Sequence, residues 1–559
     1  MNQKINLDEL IRSMLTRKKK PTFTTVDETG NPEAEPRWGI STWWIALITA
    51  IIMLVFFFFA LPAINPMSGE FYSFFILALI VFNFLNLVMG KSHKSFFAGI
   101  SGILLIVLII LPVLLTFFSG PFFHAKRYAS LIDVQPGVFQ EDVSRISMDQ
   151  IPIVDRDAAV VIGEKQMGQV GELVSQFDIA TDYSQINLAG KPIRISPLKY
   201  FDFIKYLGNF RNGIQHYISV DMTSQEGDLH ELKRPIFYSH SDYLFRNINR
   251  HLRFQYPFDM FGETSFELDD EGNAYYVTPV LTKRIFFFGG LDVKAVIITD
   301  ANNGKSTKYE TGQVPPWVDR VYPAELIIRQ LDWRGIYAGG FLNSIFGQKN
   351  VVSTTAGYNY NSIDQDIFLV TGVTSVRSDT SNLGFYYVNL RTKDAKFYSA
   401  PSATEYAAME SAQGKVQEKD YISAFPVVLN LSNRPVYFIG LKDNAHIAKM
   451  FAIVDAQRFE TVFTGNTPQE AVNNYLMAYS TAGQLGADSL ERRITIAEIV
   501  PVVVDGNTVY FIKAKDDDLV YVATAKALGA KVVFLEVGDN VSIKGNPQEF
   551  QFDILEITD

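Results

Sequence analysis

Three long apolar runs stand close together near the start of the chain: Trp43 to Ile64, Phe71 to Met89, and Phe96 to Phe118. Each is about 20 residues with almost no charge, long enough at 1.5 Å per helical residue to cross a hydrocarbon core of about 30 Å. Three such runs in succession are too apolar for the buried helices of a soluble bundle. The chain therefore reads as an integral membrane protein.

The flanks orient it. The tail before the first run carries Arg12, Arg17, Lys18, Lys19, Lys20 and Arg37, and the loop between the second and third carries Lys91 and Lys94. The loop Asn65 to Glu70 has no Lys or Arg. Cationic flanks stay on the cytoplasmic side, so the N-terminus is expected inside and everything after Phe118 outside, with Trp38, Trp43 and Trp44 at the inner interface. A cleavable signal peptide is not expected, because the first run begins far from Met1 and is too long.

Within the spans, Asn83 and Asn86 lie three apart on the second helix, and Gly99 and Gly102 three apart on the third. Small residues let helices approach and Asn side chains bond across them, so these four read as packing positions among the three helices. A seam for oligomers or conduction has the same signature. No Asp, Glu, Lys or Arg stands mid-span, which argues against an ion pathway through this chain alone.

The 559 residues allow several domains: a cytoplasmic tail over 1–40, the spans over 41–120, a juxtamembrane connector over 121–150, an α+β region over 151–485 and a β-barrel over 486–559. In the tail, Leu7, Leu10, Ile11, Met14 and Leu15 recur at the helix period after Asn6 and Glu9, which form a capping box. The basic run Arg17 to Lys20 follows, so this helix suits either the inner leaflet or a cytosolic partner. A formal charge of −10 argues against nucleic acid as a partner. The absence of cysteine excludes disulfides and thiolate metal ligands.

The outer region shows a recurring pattern, a short helix followed by strand-like runs joined by turns rich in Asp, Asn and Gly. Helix starts are expected at Ser196-Pro197, Ser402 to Glu405 and Thr467-Pro468. Hairpins are expected over Tyr217–Leu232, Phe266–Val277, Ala295–Tyr309, Phe385–Tyr398, Val427–Ile439 and Met450–Phe463. The string Val293-Lys-Ala-Val-Ile-Ile-Thr-Asp300-Ala-Asn-Asn-Gly304-Lys305 resembles the closing hairpin of PepSY-type domains, whose last strands turn at Asp-x-x-x-Gly. That resemblance implies small extracytoplasmic modules of helix plus antiparallel sheet, non-enzymatic and tied to regulating envelope proteins. The whole chain is also similar to Gram-positive membrane proteins that carry a cell-shape label. In the last stretch, β-rich runs at Ile494–Val504, Thr508–Ile512, Lys531–Leu535 and Phe550–Ile557, with a helix at Ala523–Leu528, resemble a small OB-like barrel. The acidic run Asp516 to Asp518 gives it no nucleic-acid groove.

No HExxH, GxSxG, phosphate loop or Rossmann glycine pattern occurs, and Ser196-x-x-Lys199 has a serine–lysine spacing without the companion Lys-Thr-Gly. Asp300-x-Asn302-x-Gly304 lacks the twelfth-position Glu of a calcium loop, where Thr311 stands. His216, His230, His240 and His251 crowd one region at irregular spacing. No catalytic residue, metal site or cofactor is assigned. Two candidate binding groups remain. On a helix over Asp242–Arg253, Arg246, Arg250 and Arg253 share one face with His251 nearby, opposite Leu244, Ile248 and Leu252; guanidinium forks suit the anionic groups of a wall polymer or lipid. A solvated face balanced by acidic neighbours has the same pattern. The second group is Trp317, Asp319 and Arg320 in a proline-stiffened loop. The expected function is a membrane-anchored extracytoplasmic scaffold or regulator of an envelope process, with the lipid bilayer, envelope proteins or anionic wall polymer as partners and a homo-oligomer through the spans. An envelope hydrolase and an accessory subunit of a transport or secretion complex are the alternatives.

Overall fold

The computed structural model describes residues 39–90, 96–143 and 151–558, apart from short stretches at 169–170, 182, 189, 364–365, 377–380, 432, 481–489, 505–506, 516 and 548–550. The expected amphipathic tail helix, all eight basic flank residues and Trp38 lie outside these residues. Met1–Leu61 with Gly69–Pro112 forms one compact unit, and Pro62–Ser68 with Val113–Asp559 forms another.

The helices α1 (Thr42–Ala60) and α2 (Gly69–Met89), and residues Gly99–Phe118 of α3 (Phe96–Phe118), are long and apolar enough to cross a membrane. The first run stops short of Ile64 because Pro62 disfavours helix at Leu61, which turns left-handed with φ 51°. The Ile40 N–H donates to Met89 O at 2.7 Å, so α1 and α2 form an antiparallel hairpin. Asn83 accepts from the Ser101 hydroxyl at 2.8 Å, tying α2 to α3, and Asn86 is buried. Gly99 and Gly102 differ from expectation. A Cβ at either would meet nothing within 4 Å, so among the described residues they are not the contact between these helices.

In the second unit, four antiparallel sheets follow one another, each preceded by a helix. The helices are Arg156–Met167, Ile248–Gln255, Ala324–Tyr337 and Glu405–Lys415. In each sheet two short strands pair along one long strand, which pairs with a second long strand, and that with a further one. The first of the long strands are Lys191–Tyr200, Ala274–Ile285, Asp366–Ser375 and Arg434–Lys442. The third sheet gains Val134–Gly137, parallel to Ala395–Ala403, so the juxtamembrane connector supplies a strand. All six expected hairpins are paired strands. At the Asp300–Gly304 turn, Gly304 sits at φ +74° with the Tyr238 ring where a Cβ would stand, a position only glycine fills without strain.

Strand alternation explains why the runs are apolar at nearly every position. Ile297 faces a core shared with the first sheet, whereas its neighbours Val296 and Ile298 face one shared with the third sheet and the Ala324–Tyr337 helix. Leu369 and Val388 join that second core, and Val370 and Tyr387 face the fourth sheet across the Glu405–Lys415 helix. Val436 and Phe438 then face the helix Pro468–Ser480. Sheets buried on both faces need apolar side chains on both.

The fourth sheet also meets the first, closing a ring. Gln225 bonds Ala448, the Ile153 N–H donates to Met222 O at 2.7 Å, and Lys442 pairs with Asp155, the cap of the first helix. The inner short strands meet at the centre: Asn187 donates to the Ser362 hydroxyl at 2.7 Å and Asn361 to Val428 O at 3.1 Å. Residues Leu490–Val504, Asn507–Ala514, Asp517–Thr524, Gln551–Ile557 and Asn540–Pro547 close a five-stranded barrel.

Several local expectations are corrected. Ser196 and Pro197 start no helix; they lie in strand Lys191–Tyr200, where alternating Ile193 and Ile195 outweigh the capping signal, and the helix begins at Phe203 behind Asp202. Thr404, two residues after Ser402, caps the Glu405–Lys415 helix. Lys531–Leu535 is not a strand, since Ala530–Val533 is helical after Gly529. The helix expected over Asp242–Arg253 is broken by Asn247, which caps Ile248–Gln255 and leaves Leu244–Arg246 as a separate 3-10 turn.

Candidate ligand-binding cavity

Where the first three sheets approach the centre, they enclose a cavity of about 520 Å³. Arg156 and Glu325 stand in the first turns of two of the helices, Arg194 and Gln185 on strands of the first sheet, and Ser265 on the second. Tyr360 comes from the third sheet, and Arg320 from the loop that ends at Pro323 and enters the Ala324–Tyr337 helix. Tyr183, Glu263, Arg329 and Tyr358 complete the charged and aromatic polar lining. Burial of Val318 and Val321 in the core between the second and third sheets pins that loop from both sides of Asp319 and Arg320.

Four guanidinium groups against two carboxylates make the lining cationic. Arg156 donates to Thr181 O at 3.1 and 3.2 Å and Arg194 to Val154 O at 3.2 Å, so both are aimed by backbone carbonyls. Arg320 lies 5.9 Å from the centroid of the Tyr360 ring. Among the described residues, none of the four forms an ion pair within 4.0 Å. Burial lowers the Arg194 guanidinium to about 10, with the charges of Tyr360 and Asp155 opposing the fall. Burial also raises the Tyr183 hydroxyl, reinforced by the charge of Glu164.

Gln185 brings a buried amide to the same wall. Its side chain lines the cavity and is buried, yet neither its amide nitrogen nor its amide oxygen has a hydrogen-bond partner among the described residues. A buried amide left unbonded costs about 1–3 kcal/mol, which a partner offering both a donor and an acceptor would offset.

Beside the cavity, Asp319 is buried and organises the centre of the ring. Its carboxylate accepts from the Asn187 N–H at 2.7 Å, and its own N–H donates to Glu267 at 3.1 Å. Burial, reinforced by the Glu267 charge, pushes Asp319 up to about 8. Ser265 donates to the other oxygen of Glu267 at 2.8 Å, so the wall holds one hydroxyl–carboxylate pair.

Of the residues singled out in the sequence, Arg320 lines this cavity and Asp319 adjoins it, whereas Trp317 packs on the Tyr275 ring at 5.0 Å. The other arginines are elsewhere and already engaged. Arg246 donates to Phe210 O and Arg250 to Leu244 O, each at 2.6 Å. Arg253 is buried and donates to Asp259 O at 2.6 Å. The shared arginine face is therefore corrected: the break at Asn247 separates Arg246 from the others, and Leu244, expected in the core, is 59% exposed. His251 bonds Gly304 O at 2.7 Å and His230 the Ser219 hydroxyl at 2.8 Å. Sequence reading missed Arg156, Arg194, Arg329 and Gln185. The one available signal was Arg194, a lone cation between Ile193 and Ile195 in a β alternation.

No family model matches the chain, and no curated protein matches it. Among solved structures, a B. megaterium levansucrase mutant aligns at 10% identity over 74% of this chain and 98% of its own, with a TM-score of 0.16. The Trypanosoma rangeli sialidase in complex with the inhibitor DANA aligns at 9% identity over 68% of this chain and 54% of its own, with a TM-score of 0.14. Likenesses this slight carry no argument about fold or function.

Proposed function

We propose that the chain is a membrane-anchored extracytoplasmic scaffold or regulator of a cell-envelope process, and that its ring of sheets holds an anionic, hydroxyl-bearing group of a wall polymer in the arginine cavity. The observation that carries this reading is the conjunction of four guanidinium groups with the unbonded, buried Gln185. Guanidinium forks match carboxylate or phosphate oxygens, and the amide and tyrosine hydroxyls match sugar hydroxyls. We read the four helix-plus-sheet units as versions of one module, on the strength of their common strand order. The outward orientation is supported by the basic flanks and by the loop Pro62–Ser68, which belongs to the same compact unit as the large region. Its Ile64 N–H donates to Pro257 O at 2.8 Å.

Calorimetric titration of the detergent-solubilised full chain tests the reading, with an oligoglucuronate, an oligo(glycerol phosphate) and a neutral glucan of equal length. At least one anionic oligomer binds, the neutral one does not, and substitution of the two exposed arginines, Arg156→Gln and Arg329→Gln, weakens binding severalfold in each case. Equal binding of the neutral oligomer, or no binding of either anionic one, overturns it.

The Ser265–Glu267 pair favours a hydrolase as the second reading. A carboxylate is a weak base for a serine hydroxyl, and no imidazole lines the cavity, so binding is preferred. Release of fragments from a labelled anionic oligomer, lost in Ser265→Ala, would reverse that preference.

A further inference from the structure

The end of α3 is surrounded by aromatic side chains from parts of the chain far away in sequence. The helix α4 (Pro121–Ala129) follows α3 after two residues. The Phe123 ring lies 5.5 Å from Phe118, and Phe122 meets Phe341 edge-on at 5.3 Å. The Phe287 and Phe288 N–H groups donate to the Ser119 hydroxyl at 3.3 and 3.0 Å, which holds the turn between the two long strands of the second sheet against the end of the span. Beyond these contacts the surface stays apolar and open: Phe122 is 60%, Phe286 51%, Leu342 65% and Phe346 78% exposed. A groove of about 520 Å³ runs between Phe122–Arg127 and Gly339–Asn343, with Lys126 and Arg127 at one side.

We infer that this aromatic collar is a second membrane contact, seated in the headgroup and upper acyl region of the bilayer that α3 crosses. Chain continuity selects the occupant: the collar touches Phe118 and Ser119, at the end of an apolar span, so the lipid around that end of the span is already beside it. Phe and Leu side chains on an interfacial surface bury at the headgroup–acyl boundary, and flanking cations suit phosphate headgroups. Such a contact would hold the ring of sheets in one orientation to the bilayer surface instead of leaving it on a swivel.

The inference rests on α3 crossing the bilayer, and one experiment separates the two. Because the chain has no cysteine, single nitroxide labels can be placed by F286C, F346C, V107C and E410C in the full chain, reconstituted in phosphatidylcholine–phosphatidylglycerol nanodiscs. Collision with oxygen is compared with collision with a water-soluble nickel chelate. At 107, within the span, and at 286 and 346, the oxygen-to-nickel ratio is severalfold higher than at 410, on the exposed side of the Glu405–Lys415 helix. Labels at 286 and 346 that read like 410 while 107 reads as lipid overturn the collar alone. Labels there shielded from both reagents also overturn it, since protein would then cover the patch. An aqueous reading at 107 overturns the span itself.

Discussion

Gln225 and Ala448 exchange two hydrogen bonds across 223 residues: the Gln225 amide donates to Ala448 O at 3.3 Å and its oxygen accepts from the Ala448 N–H at 3.2 Å. A side chain thus imitates one rung of a β-ladder between the first and fourth sheets. Gln225 can reach because it sits at φ +61° in the turn between strands Ile214–Asp221 and Gly227–Ile236.

Gln225→Ala removes both bonds and is expected to destabilise the second unit by about 1–2 kcal/mol. A urea titration of the solubilised chain, followed by tyrosine and tryptophan fluorescence, measures the loss. An unchanged midpoint would show that the closure contributes nothing.

Glu405 is a stronger link. It is buried, and its carboxylate accepts from the Gly372 N–H at 2.8 Å and from Thr355 and Asn382 side chains at 3.1 Å each. Glu405→Ala strands three donors and should cost about 3 kcal/mol or more, while Glu405→Gln keeps one acceptor and costs less. The same titration ranks the two.

Asp319 makes stability depend on pH. Between the ordinary carboxylate range and about 8, the folded group holds a proton that the unfolded one has released. Raising pH through that window therefore lowers stability, and above it the loss is complete. Asp319→Asn keeps an acceptor for Asn187 but cannot ionise, so its melting temperature should fall less with rising pH than that of the parent. Parallel curves would contradict the assignment.

Protease added to wall-stripped cells should digest the region after Phe118 and spare a tag placed at the N-terminus. Immunoblotting of the tag reads the result. Protection of the C-terminal region would invert the proposed topology.

The sequence by itself determined what depends on local chemistry. Long apolar runs mark α1 to α3 because helix length and hydrocarbon thickness are both set by simple dimensions, and Asp-, Asn- and Gly-rich turns mark the hairpins because few residues tolerate those backbone angles. Where two local signals competed, as at Ser196-Pro197, burial on both faces of a strand prevailed over a capping pattern. Tertiary structure alone decided the cavity. Arg156 and Arg194 come from the first sheet and its helix, Arg329 from the helix Ala324–Tyr337 and Arg320 from the loop before it, and only the packing of the sheets against one another brings them to one cavity. No periodicity records such an encounter, because the contacts that create it join residues whose separation along the chain is set by the lengths of whole sheets and helices.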